Sequence, residues 1–359
     1  MSHLFSILQL RSIILKNRIV VSPMCQYSAE DGFANDWHLV HLGARAIGGA
    51  ALIIQEATAV SPEGRISACD LGIWDDAHIE KYKQITAFIL QHNAFPGIQL
   101  AHAGRKGSTT PPWQGNLKMT LEEGGWHTVA PSAICFSEHE AEAPVALDKA
   151  GIEKVVTDFK AATKRAHHAG YKVLELHGAH GYLIHQFLSP LCNERTDEYG
   201  GSFENRIRLL LEILEAVQSE WPADLPVFVR ISGTDWAEGG WNEDQSVELS
   251  KILKQKGVDV VDCSSGGAVQ HQQIPVKPGY QVPIAERVKK EAHIYSGAVG
   301  LITEAQQAED IVANGQADLV LFARESLRDP NLGLRFAHEL GVETIWPKQY
   351  DRAQWRKKQ

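Results

Sequence analysis

Short apolar runs and longer stretches of helical periodicity take turns along the chain. Eight runs have the length and composition of strands: Ile19–Pro23, Ala51–Ala57, Gly97–His102, Lys172–His177, Val227–Ser232, Val258–Ser264, Ile294–Ala298 and Asp318–Ala323. Leu319-Val-Leu-Phe-Ala is apolar without alternation, as expected of a strand covered on both faces. Between the runs lie amphipathic segments. In 152–168, Val155, Val156, Phe159, Ala162 and Ala166 recur at helical spacing. Gly170, Gly257 and Gly315 each end such a segment just before a strand, where a left-handed residue closes a helix. Thr303 and Gln306 have capping-box spacing for the helix that Gly315 ends. Strictly alternating β and α elements predict a parallel α/β fold, and eight strands are the number that closes a single (β/α)8 (TIM) barrel. Residues 104–147 break the alternation with Pro111-Pro112-Trp113 and several glycines. They read as an elaborated loop after strand three, on the rim where barrel active sites lie.

Composition narrows the classes. A chain of 359 residues with 44% hydrophobic content can bury a large core as one domain. A net charge of −9 argues against nucleic acid as a partner. The apolar runs are too short to span a bilayer, the first residues have no secretory pattern, and the five cysteines (25, 69, 135, 192, 263) never form a C-x-x-C pair. The expectation is a cytoplasmic protein with reduced thiols, no structural zinc and no iron–sulfur cluster.

The densest chemistry follows the fourth strand, in His177-Gly-Ala-His-Gly-Tyr182. Two imidazoles three residues apart, with a phenol beyond them, suit holding a carbonyl oxygen while a proton is delivered to a nearby carbon. The same pair also suits a metal, or two structural histidines. Directly after it, 188–208 is rich in charge and turns, and Arg195, Asp197, Glu204, Asn205 and Arg206 read as a polar network bracing a long loop. Other strand ends carry Pro23-Met-Cys-Gln-Tyr27, Glu56-Ala57, Gln99, His102 and Arg230. Convergence of polar, aromatic and sulfur groups from five consecutive strands marks a site at the barrel mouth.

These motifs, in this order, resemble the Old Yellow Enzyme family of FMN-dependent ene-reductases, and Pro-Met-Cys-x-Tyr resembles its thermophilic-like, xenobiotic-reductase-like class. The resemblance runs from Leu15-Lys-Asn-Arg18 to Tyr350. It implies non-covalent FMN, with Pro23, Met24, Cys25 and Ala57 against the flavin, Gln99 on its pyrimidine edge, and Arg230 where the reduced flavin gathers negative charge. Gly297, Gly300, Ala323 and Arg324 resemble the family's phosphate site. Ala323 stands where the family usually has glycine, a substitution that costs about 1 kcal/mol if a positive φ is needed there.

The resemblance further implies that Tyr27, His177 and His180 hold the substrate and that Tyr182 is the proton donor. NADPH, or NADH, is the implied hydride donor to flavin N5, in a ping-pong reduction of activated C=C bonds. Tyr350-Asp-Arg352 resembles a motif that reaches a neighbouring subunit, which implies a homodimer or homotetramer with 345–359 at the interface and either Arg352 or Trp355 crossing it. Three rivals stay open. One is the same flavin chemistry used mainly on nitro compounds or nitrate esters. A metal-dependent barrel hydrolase would complete His177/His180 with Glu56 and His102. A third possibility is a protein that only sequesters FMN.

Overall fold

The computed structural model describes residues 2–140 and 142–355. Its centre is a closed barrel of eight parallel strands: β1 (Ile19–Val21), β2 (Leu52–Ala59), β3 (Phe95–Ala101), β4 (Val173–Gly178), β5 (Val227–Ser232), β6 (Val260–Ser264), β7 (Tyr295–Ala298) and β8 (Leu319–Phe322). Each pairs with the next in sequence. The ring closes where β8 pairs with β1, Val320 opposite Ile19. Every residue of β2, β4, β5 and β6 is buried, as strands packed between a filled interior and an outer ring of helices must be.

The ring consists of α1 (Asp36–Ile47), α2 (Ile79–Gln91), α3 (Lys149–His168), α4 (Arg208–Gln218), α5 (Glu243–Gln255), α6 (Val282–Ala292), α7 (Ala305–Ala313) and α8 (Leu332–Glu339). All eight expected strands are present, with ends shifted by at most two residues. Helix α3 starts three residues earlier than its periodicity predicts, because Asp148 accepts a hydrogen bond from Gly151 N at 2.7 Å and caps it. Gly170, Gly257 and Gly315 take φ of +91°, +83° and +69°, as their place after helix ends predicts. The capping box is a correction: the N-cap of α7 is Glu304, and Thr303 N instead donates to Gln307 Oε1 at 3.1 Å.

A hairpin, Leu8–Leu10 with Ile13–Leu15, has no counterpart in the sequence reading. Ser12 N donates to Asp224 O at 3.0 Å, and Arg11 Nε lies 2.8 Å from Asp259 Oδ1. Both partners just precede strands β5 and β6, so the hairpin covers the N-terminal end and leaves the other end open for chemistry. The 104–147 segment forms three short 3-10 turns and a two-strand pair, Val129–Ala130 with Val145–Ala146. Buried Arg105 ties it to the rim, donating to Ile134 O at 3.1 Å and Ala268 O at 2.7 Å.

Candidate active site

Strand β4 delivers His177 at its end, and the turn after it carries His180 and Tyr182. The three rings converge, with His177 5.1 Å from His180 and 5.0 Å from Tyr182, centroid to centroid and edge to face. His180 sits at φ +58°, a conformation uncommon for a residue with a Cβ, and Ser232 Oγ fixes it by accepting from its N–H at 2.9 Å.

Both imidazoles are neutral. Burial first, then the positive charge of Arg230 and Lys106 and the neighbouring histidines, pushes them well below the ordinary histidine range. His177 Nδ1 accepts from Ala179 N at 3.3 Å, so its proton rests on Nε2. His180 Nε2 lies 2.7 Å from Ser264 Oγ. Ser264 Oγ is shared, since it also donates to Gln281 Oε1 at 3.3 Å. Tyr182 is the opposite case. Burial, reinforced by Cys25, Tyr27 and Asp70, raises its phenol well above the usual range, so it keeps its proton at neutral pH.

Below the histidines lies a charged cluster. Arg230 Nε stands 3.0 Å from Asp262 Oδ2, bent away from an in-line hydrogen bond, and Arg230 also donates to Ser22 Oγ at 3.2 Å. Gln99 Nε2 donates to Glu175 Oε1 at 2.8 Å. Burial, then the charge of Asp262, raises Glu175; burial likewise raises Asp262, with Arg230 pulling both back down. The Glu175, Asp262, Ser22 and Ser264 partners were missed in the sequence. Their one signal was a polar residue inside an apolar run, as in Val173-Leu-Glu-Leu176 and Val260-Val-Asp-Cys263.

After β1 the chain presents Pro23, Met24 and Cys25, and Tyr27 turns at φ +48° with its ring 5.9 Å from Trp113 of the long segment. Burial, then Asp70 and Glu56, raises Cys25, which is a thiol rather than a thiolate. Ala57 lies beside Tyr182, with Ala59, Ala101 and Ala103 around them, in a crevice too narrow to hold a water molecule. Gly300 takes φ +120°, and a Cβ there would meet Gln281 Nε2 at 2.8 Å; at Gly297 a Cβ would meet Leu321 Cδ1 at 2.5 Å. Ala323 has φ −98°, so the left-handed penalty expected for its Cβ does not arise. It opens the one-turn helix Arg324–Arg328, in which Arg324 is exposed.

The 188–208 network is present. Arg195 grips Asp197 through two nitrogens at 3.0 and 2.5 Å and reaches Pro131 O at 3.0 Å. Asn205 holds Gly200 O at 3.0 Å and Arg206 donates to Leu188 O. Glu204 is exposed at a helix start and joins the network less directly, through Ser202 and the charge of Arg206.

Neither residue that the metal reading needed is available. Glu56 Oε2 accepts from Gln26 N at 2.6 Å and its Oε1 lies 3.6 Å from His38 Nε2, while His102 Nδ1 accepts from Gly104 N at 3.0 Å. Arg352 is exposed on a 3-10 turn, Lys348–Ala353. Trp355 stacks on His338 of its own chain, with centroids 4.9 Å apart. The basic run from Arg356 lies outside the described residues.

A profile of the NADH:flavin oxidoreductase / NADH oxidase family, an FMN oxidoreductase family, matches residues 3–343. NADPH dehydrogenase of Bacillus cytotoxicus is 49% identical over 355 residues, covering 98% of this chain and 97% of that one. NADPH dehydrogenase of Geobacillus thermodenitrificans is 50% identical, covering 98% of each.

Among solved structures, morphinone reductase superposes with a TM-score of 0.80 at 28% identity, over 97% of this chain and 92% of that one. Old Yellow Enzyme from Pichia sp. AKU4542 gives 0.78 at 27%, over 99% and 90%. A 2-naphthoyl-CoA reductase shares the fold at a TM-score of 0.85 and 24% identity, and this chain spans 52% of that longer protein.

Proposed function

The chain belongs to the NADH:flavin oxidoreductase / NADH oxidase family, with FMN as its cofactor, and from that premise we propose that it reduces activated C=C bonds of α,β-unsaturated carbonyl compounds at the expense of NADPH. The observation that carries this reading is the convergence of two neutral imidazoles with a phenol that keeps its proton. When bound, FMN supplies the redox chemistry, taking electrons from NADPH and giving them to the alkene in a separate, ping-pong step.

The residues fit that group. Gln99 and Arg230, each fixed by a buried carboxylate, suit a polar ring edge that becomes negative on reduction. Pro23, Met24, the neutral Cys25 and Ala57 offer soft or apolar contacts. Gly297 and Gly300, with Ala323 and Arg324 at a helix start, suit a phosphate. His177 and His180 hold the substrate oxygen, where hydrogen bonds matter most because negative charge grows there in the transition state. Tyr182 gives its proton to the α-carbon, and Tyr27 helps to place the substrate.

Nitro compounds or nitrate esters are the second reading, since the histidine pair holds their oxygens equally well. Tyr182 favours the alkene, because reduction of a nitro group needs no proton on carbon. We further propose that residues 1–359 act as one FMN-binding unit, with 104–147 on the site's rim and exposed Arg352 reaching a neighbouring subunit of a homodimer or homotetramer. All five cysteines are free, and no helix among the described residues is long and apolar enough to cross a membrane; both suit work in the cytosol.

Rapid mixing tests the central assignment. Tyr182→Phe is expected to slow reoxidation by cyclohexenone on the order of 10²-fold or more while flavin reduction by NADPH keeps its rate. Equal slowing of both steps means that Tyr182 positions the cofactor instead.

A further inference from the structure

The turn that carries the proposed donor is held in an unusual way. From His180 N to Gly181 O, every backbone polar group is bonded to a side chain rather than to other backbone. His180 N donates to Ser232 Oγ at 2.9 Å and His180 O accepts from Lys106 Nζ at 2.8 Å. Gly181 N donates to His185 Nδ1 at 2.8 Å and Gly181 O accepts from Gln186 Nε2 at 2.7 Å. Local geometry explains the last two. His185 and Gln186 lie on the one-turn helix Leu183–Leu188, and helical side chains lean back towards the N-terminus, over the residues four and five positions before them.

His185 faces two ways. Because Nδ1 accepts from Gly181, the imidazole proton sits on Nε2, which lies 2.9 Å from Asp235 Oδ1 at an angle too bent for a full hydrogen bond. Both side chains are completely buried. Asp235 is itself fixed by Ser189 Oγ at 2.6 Å and Trp241 N at 2.8 Å. The glycine between the two catalytic side chains has no room to adjust: it takes φ +73°, and a Cβ there would meet Gly267 O at 2.0 Å.

We propose that His185, oriented by Asp235, is a positioning residue for the reaction: its Nδ1 clamps Gly181 and so fixes His180 and Tyr182 relative to each other and to the substrate. This rests on the reading of Tyr182 as the proton donor. The role separates from the buried pair because each function uses a different ring nitrogen. In His185→Asn, the amide oxygen stands close to Nδ1 and still accepts from Gly181 N. In His185→Gln, the amide reaches the place of Nε2 towards Asp235 and leaves Gly181 N without its acceptor.

The test uses the FMN-loaded protein and both half-reactions, with calorimetric phenol affinity as a readout independent of turnover. His185→Asn is expected to reoxidise with cyclohexenone within about threefold of the native rate, and His185→Gln to lose on the order of tenfold to hundredfold. Flavin reduction by NADPH is expected to hold in both, and phenol affinity to follow the same order. Equal slowing of the two variants, a slower Asn variant, or parallel loss of both half-reactions overturns the clamp. Tyr182→Phe is run beside them. If it reoxidises at the native rate the donor reading fails, and the order of phenol affinities alone then decides the clamp. Should His185→Gln not fold, His185→Leu likewise leaves Gly181 N without its acceptor and is expected to show the same selective loss; a native alkene step there is the overturning result.

Discussion

Arg230 shows what one side chain does at the barrel centre. It is 5% exposed and is the cation beside two buried acids, Asp262 and Glu175. Replacing it with leucine removes the charge that pulls both acids down, at a cost of about 3–5 kcal/mol, the usual loss when one partner of a buried pair goes. The sign of the pH dependence follows. An acid raised in the folded state destabilises it above that raised value, and the effect vanishes below the acid's unfolded value. Arg230→Leu is therefore expected to lose more stability at pH 8 than at pH 5, read as midpoints of denaturant unfolding. A loss independent of pH would mean that the cluster is held by packing rather than charge. The arginine itself was legible as a strand-end residue. Its partners were not, because Asp262 and Glu175 stand inside apolar runs, and it is the pairing of neighbouring strands that brings them beside Arg230.

At the scale of elements, the strands were legible because a barrel strand buried on both faces is mostly apolar, and eight such runs alternating with helices are the number that closes a barrel. The hairpin before β1 escaped because two strands of three residues carry almost no periodicity. The bulge in β2, between Gln55 and Ala57, escaped because a strand buried on both faces shows no alternation from which a register shift could be read. It matters, since Glu56 holds Gln26 N, in the loop that carries Cys25 and Tyr27, and is thereby withdrawn from any metal set.

Helix ends were legible through glycine, and two of them separate conformation from space. A Cβ at Gly315 meets nothing within 4 Å, while one at Gly170 meets Thr86 Oγ1 at 2.9 Å. Gly315→Ala is expected to cost about 1 kcal/mol, from its positive φ alone. Gly170→Ala is expected to cost more, and equal melting points for the two would refute the crowding.

At the scale of the whole molecule, the His177, His180 and Tyr182 trio, the cluster beneath it and the glycines in and after β7 lie on one rim of one barrel. The hairpin covers the other end. The order of motifs in the sequence was enough to anticipate this, because a barrel places consecutive strand ends around one mouth. The C-terminal segment was less legible, since the role proposed for it depends on a second copy. Trp355 is engaged by its own chain and Arg352 is not buried by it. Mixing Tyr182→Phe with Arg352→Ala subunits is expected to restore activity above either parent, measured after subunit exchange; no gain would place Arg352 outside the neighbour's site.

The central claim is tested most directly in one anaerobic cuvette. The visible spectrum of the purified protein is expected to show a flavin band that bleaches with NADPH and returns when cyclohexenone is added. A colourless protein that takes up no FMN, or a bleached band that the enone leaves unchanged, would contradict the account.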